Sequence, residues 1–85
     1  MIDDIELLKK KIIYKSSYRG VKELDIILRA FVKKNINKLN INDLRDLFDF
    51  LNNDDEVIYK FRQGFGVKEK IKKSYISDLF KKFTL

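Results

Sequence analysis

The chain has 85 residues, no Cys, no His and no Pro, and a formal net charge of +6. That length holds one domain at most and excludes the large catalytic scaffolds, while the missing Cys and His exclude disulfide frameworks, zinc centres, thiol nucleophiles and every His-dependent mechanism. With 45% hydrophobic and 38% charged residues, the chain reads as globular rather than disordered.

Hydrophobic periodicity predicts five helices. In the first, Ile5, Leu8, Ile12 and Ile13 recur at helical spacing up to about Lys15, where Ser16-Ser17 weakens the helix. The second runs from about Arg19 to Lys34, with Val21, Leu24, Ile27, Leu28 and Phe31 on one face. Asn40 is an N-cap candidate for the third, about Ile41 to Leu51, and Asp43 falls at its third position, where a carboxylate suits the dipole. Its apolar face is Leu44, Leu47, Phe48 and Leu51, which leaves Phe50 off the stripe and open to exposure. Asn52-Asn53 makes the next break. Asp54 is then placed to cap a short fourth helix through Val57, Ile58 and Phe61, stopped near Gly64. The fifth spans about Val67 to Phe83 with the stripe Ile71, Tyr75, Ile76, Leu79, Phe80 and Phe83. No segment alternates over strand length. The expectation is an all-α fold, a small antiparallel bundle of about five helices with short loops.

Charge is unevenly spread. Residues 1–59 balance 11 Lys/Arg against 11 Asp/Glu, whereas residues 60–85 carry 8 against 2. The basicity belongs to the C-terminal segment. The chain also holds 11 Ile, 15 Lys and 6 Asn, a bias that suits an AT-rich coding genome, so Lys content alone is no sign of function. The acids from Asp43 to Glu56 are spread along a helix face and a cap without calcium-ligand spacing, so no metal site is expected. The acidic start is unlike a targeting peptide, and no apolar run approaches the ~20 residues that span a bilayer, so no membrane insertion is expected.

One stretch stands out: Ser17-Tyr18-Arg19-Gly20-Val21-Lys22-Glu23-Leu24-Asp25. A glycine within a helix costs roughly 0.5–1 kcal/mol relative to alanine, which a backbone bend or a close approach by another surface would offset. Arg19 and Glu23 are spaced i,i+4 and can project from the same side as Gly20. The bland alternative is a loop glycine beside an exposed ion pair.

Arg-Gly-x-x-Glu-x-Asp, followed by a Leu/Phe helix and the acidic turn Asp54-Asp55-Glu56, resembles the succinate dehydrogenase FAD-assembly factors over about residues 6–64. The sequence departs from that pattern at Tyr18, where many members have a second basic residue, at Val21 (Met), at Phe61 (often Trp), and in the long basic extension after Gly66. The resemblance implies an assembly chaperone, not an enzyme. Such a protein binds the flavoprotein subunit of succinate dehydrogenase, or of a related fumarate reductase, and promotes covalent attachment of FAD to a client histidine. It further implies that Arg19, Gly20 and Glu23 form the partner-docking surface, with Asp25 carried over beside them. Most aromatics fall on predicted core faces, but Tyr14 and Tyr18 lie beside the motif and suit interface anchors, since Tyr is favoured at interfaces. No catalytic residue is expected, and no cofactor bound tightly, since the client carries the FAD and no Gly-rich dinucleotide fingerprint is present.

The resulting expectation is one helical domain over residues 1–85, with a family-like part over 1–66 and a basic C-terminal helix over 67–85, acting in the bacterial cytoplasm. Truncation after Gly66 is expected to leave the motif folded. The alternative is a small nucleic-acid-binding or regulatory module using the Lys-rich C-terminal helix. It is disfavoured because that segment lacks the base-reading Arg and the third helix is acidic. The sequence leaves self-association open.

Overall fold

The computed structural model describes residues 4–65 and 71–85. Apolar residues at three- and four-residue spacing form five helices: α1 (Asp4–Lys15), α2 (Lys22–Asn35), α3 (Ile41–Leu51), α4 (Asp55–Arg62) and α5 (Tyr75–Lys82). No strand occurs among the described residues, and the all-α expectation holds.

The third helix has the bounds its sequence predicts, because its start is locally determined. The Asn40 side chain accepts from the Asp43 amide at 2.8 Å, satisfying one of the donors that a helix start leaves open. The fifth helix starts later than its periodicity suggests. Chain from Ile71 to Ser74 is non-helical, and Ser74 and Ser77 form a reciprocal cap: the Ser77 amide donates to Ser74 Oγ (3.1 Å) and the Ser74 amide to Ser77 Oγ (2.9 Å). The expected start at Val67 lies outside the described residues.

Helix α3 lies between α1 and α5, so it is buried on two sides. Phe50 is therefore not exposed, as its position off the main stripe suggested, but 5% exposed, facing Phe61 and Phe80 at centroid distances of 6.0 and 5.2 Å. Tyr75, placed on the inner stripe by periodicity, is instead exposed, and Ile13 is half-exposed. One core joins Ile12 of α1, Leu24, Leu28 and Phe31 of α2, Leu44 and Leu47 of α3, Ile58 of α4, and Ile71, Ile76 and Phe80 near the C-terminus. Phe80 has no exposed surface, and the Arg62 guanidinium donates to its carbonyl at 3.0 Å. The expectation that the segment after Gly66 is dispensable for folding runs against this packing, since truncation would strip three buried apolar side chains from the core.

Candidate functional site

The turn between α1 and α2 carries the Arg-Gly-x-x-Glu motif. Two hydroxyls end α1: Ser16 Oγ and Ser17 Oγ both donate to the Ile13 carbonyl, at 2.8 and 3.0 Å. Such back-bonding competes with helix continuation. The next residue, Tyr18, has φ 58°, the left-handed conformation that a residue with a Cβ seldom adopts. Helix α2 starts only at Lys22, with Val21 at its N-cap and no side-chain cap, so Arg19 and Gly20 lie in the turn and not, as expected, in the first turn of α2. Glu23 and Asp25 sit in the first helical turn, where carboxylates suit the dipole.

Arg19 folds inward. Its Nε donates to Asp55 Oδ1 at 2.6 Å, Nη1 to the carbonyls of Lys15 (2.9 Å) and Leu51 (3.0 Å), and Nη2 to the Asn53 carbonyl (2.9 Å). The side chain is 11% exposed, and that of Asp55 23%. The second Asp55 oxygen, Oδ2, accepts from the Gly20 amide at 2.6 Å. One carboxylate at the start of α4 thus brackets two successive residues of a turn 35 and 36 positions earlier. Gly20 is not left-handed; a Cβ there would stand 3.2 Å from Asp55 Oδ2, tighter than ordinary van der Waals contact. Its bareness is matched to the carboxylate.

The i,i+4 pair expected between Arg19 and Glu23 does not form: Arg19 is taken by Asp55, and Glu23 is exposed and free of ion pairs among the described residues. Likewise Asp54, expected to cap α4, occupies the N-cap position without a side-chain cap bond. Asp25 is half-buried. Arg29 Nε lies 3.3 Å from its Oδ1, close enough for an ion pair but not aligned as a hydrogen bond, so that buried oxygen has a charged neighbour and no hydrogen-bond donor.

Two aromatic rings project from this turn. Tyr14 is 72% exposed and Tyr18 82%, with centroids 6.3 Å apart, and the Arg29 guanidinium lies 5.7 Å from the Tyr18 ring centre. An open depression runs across Tyr14, Tyr18, Arg19, Gly20, Asn53 and Asp55. The fold therefore gathers Tyr14, Tyr18, Arg19 and Gly20, sets Glu23 on the exposed face of α2, and keeps Asp25 at the edge. Sequence reasoning placed Asp55 in the acidic turn but gave it no role; a carboxylate opposite an arginine 36 residues away leaves no local signal. Among the described residues no three His, Cys, Asp or Glu side chains converge as metal ligands, and no helix is long and apolar enough to cross a membrane.

A family model described as flavinator of succinate dehydrogenase matches residues 10–84. The match runs well beyond residue 64 and includes α5. The chain is similar to mitochondrial succinate dehydrogenase assembly factor 2 of Dictyostelium discoideum, at 40% identity over 60 residues, covering 71% of this chain and 43% of that protein. It is also similar to the protein of that name from Schizosaccharomyces japonicus, at 34% identity over 55 residues, covering 64% and 38% respectively. The chain thus spans less than half the length of these relatives. No solved structure matches it. The expectation of a bacterial cytoplasmic protein is overturned, because both relatives are named as mitochondrial and come from eukaryotes. That expectation leaned on an acidic start unlike a targeting peptide, and an acidic start is not an address.

Proposed function

This chain belongs to the family of succinate dehydrogenase flavinators, and from that premise we propose that it binds the flavoprotein subunit of succinate dehydrogenase, or of a related fumarate reductase, and promotes covalent FAD attachment there. The family match over residues 10–84 carries this reading. The exposed surface around the turn, from Tyr14 and Tyr18 to Glu23 with Asp25 at its edge, supports it as the docking face. Tyrosine suits such a face because a large, stiff ring gives contact area while its hydroxyl stays hydrogen-bonded.

The chain acts by binding rather than by catalysis. It holds no His or Cys to serve as base or nucleophile, and the depression beside Tyr14, Tyr18 and Asp55 is open. A helper of this kind stabilises the client conformation it binds best, and its effect equals its differential affinity for that conformation over the others. The flavin, its histidine acceptor and the proton transfers belong to the client, and the chain needs no tightly bound cofactor of its own.

The test is reconstitution. Client flavoprotein subunit lacking covalent flavin is incubated with FAD, with and without this chain, and covalent flavin is read by fluorescence after denaturing electrophoresis. Faster or more complete attachment is expected, with a complex visible by size-exclusion chromatography. Equal attachment in both samples and no complex would overturn the reading.

A further inference from the structure

The Arg-Gly-x-x-Glu motif divides into two halves with different surroundings. The Arg-Gly half faces the protein's own backbone. Arg19 has five N–H donors, and four hydrogen bonds tie them to Asp55, Lys15, Leu51 and Asn53. A client would have at most one donor left to compete for. The Gly20 amide is likewise taken by Asp55, and the direction a side chain would follow from Gly20 points at that carboxylate. The Glu half is different: Glu23 is exposed, with no charged partner among the described residues.

Between the two halves and α1 stands Tyr18, held left-handed with its ring almost wholly in solvent. A strained backbone beneath a buried ring would serve the core; beneath an exposed ring it serves presentation, and it persists only where neighbours over-determine it. The neighbour here is the bracket on Arg19 and Gly20.

We infer that Asp55 is a positioning residue for client docking: through Arg19 and the Gly20 amide it fixes the turn from which Tyr18 and Glu23 meet the flavoprotein, and neither Asp55 nor Arg19 touches the client. The inference rests on the docking reading above. It gives the motif's glycine an internal reason, the close approach of a carboxylate, and enlists a residue 32 positions beyond the motif's glutamate.

The experiment uses the full chain and the variants Asp55→Ala, Asp55→Asn and Glu23→Ala, with the Asp55→Ala/Glu23→Ala double variant. Affinity for the client subunit is titrated at a temperature where melting curves show every variant folded. Asp55→Ala is expected to weaken binding at least tenfold, as is Glu23→Ala. The double variant should lose little beyond either single, because both changes disable one surface. Asp55→Asn keeps an acceptor for the Gly20 amide and should recover part of the affinity; it takes the place of the alanine variant in the cycle if that variant melts too low. Undiminished binding by folded Asp55→Ala, or losses that simply multiply in the double variant, would overturn the positioning role.

A second readout needs no client. In spectra of the free protein, Asp55→Ala should move the Gly20 amide resonance and weaken the strong cross-relaxation between the Tyr18 amide proton and its own Hα that marks a left-handed residue, whereas Glu23→Ala should change neither. An undiminished Tyr18 amide-to-Hα signal would likewise overturn the inference. A wild-type chain that ignores the client while these signals respond would instead count against the functional reading.

Discussion

Phe80 meets Phe31 edge-on, with ring centroids 5.2 Å apart and planes at 82°. This contact joins the last helix to the helix that follows the motif. Because Phe50 lies at the same distance from Phe80, the C-terminal segment is the keystone between α2 and α3. Lys72, Lys73, Lys81 and Lys82 are exposed: Lys81 lies over the Phe61 ring at 5.4 Å, and Lys72 pairs with Asp46 at 3.6 Å.

The first prediction follows from that contact. Phe80→Ala should cost about 3–5 kcal/mol, the usual loss for a fully buried phenylalanine. In a domain of this size that is much of the total stability. Truncation after Gly66 should unfold the chain. Thermal melting by circular dichroism checks both, and a truncated chain with a wild-type transition would refute the keystone role.

Gly20→Ala sets two opposed terms against each other. Alanine restricts the unfolded chain, a gain of about 0.4–1 kcal/mol where the native backbone accepts it. The new methyl meets Asp55 Oδ2 at 3.2 Å and pushes on the bracket. The expected net effect is a loss of less than ~1 kcal/mol, or at most several degrees in Tm, with a larger drop in covalent flavin incorporation. A rise in Tm with full incorporation would show that the glycine is merely a loop residue.

Glu23→Ala should leave melting within ~0.5 kcal/mol of wild type, because the side chain is exposed and no ion pair among the described residues depends on it. Flavin incorporation should fall sharply in co-expression with the client. Retained incorporation would remove Glu23 from the docking face.

Tyr18 separates stability from function. Tyr18→Gly releases a left-handed backbone costing a β-carbon-bearing residue roughly 1–2 kcal/mol, partly offset by the freer unfolded chain, and it removes little packing because the ring is 82% exposed. Its Tm should hold or rise while client affinity falls. Tyr18→Ala, which keeps the strain and loses the ring, should melt below Tyr18→Gly. The reverse order would mean that the left-handed backbone carries no strain, and a Tm for Tyr18→Gly well below wild type would mean that the ring supports the fold.

The sequence is most legible where structure is local. Asn40 reaching the Asp43 amide fixes the start of α3 within one turn, and the apolar stripes of α2 and α3 place Leu24, Leu28, Phe31, Leu44 and Leu47 inside. It is least legible where distant segments decide. Arg19 has a glutamate four residues on and looks paired with it, but the stronger partner is Asp55, which also captures the Gly20 amide and holds the turn out of helix α2. Phe50 looked exposed because one stripe was assumed for a helix that is covered on two sides. Net charge made the C-terminal segment look detachable, because counting lysines ignores the isoleucines and phenylalanine beneath them. The motif's position was readable; its division into an inward and an outward half was not.

Arg19 also sits at the carbonyl ends of two helices at once, its Nη1 donating to Lys15 O of α1 and Leu51 O of α3. Both ends carry the negative pole of a helix dipole, and a single cation neutralises the two together. Fraying of one end therefore loosens the counter-ion of the other, so the last turns of α1 and α3 open as one cooperative unit rather than independently. Amide hydrogen exchange should give the final amides of both helices a shared opening free energy, and Arg19→Lys should lower protection at both ends in step.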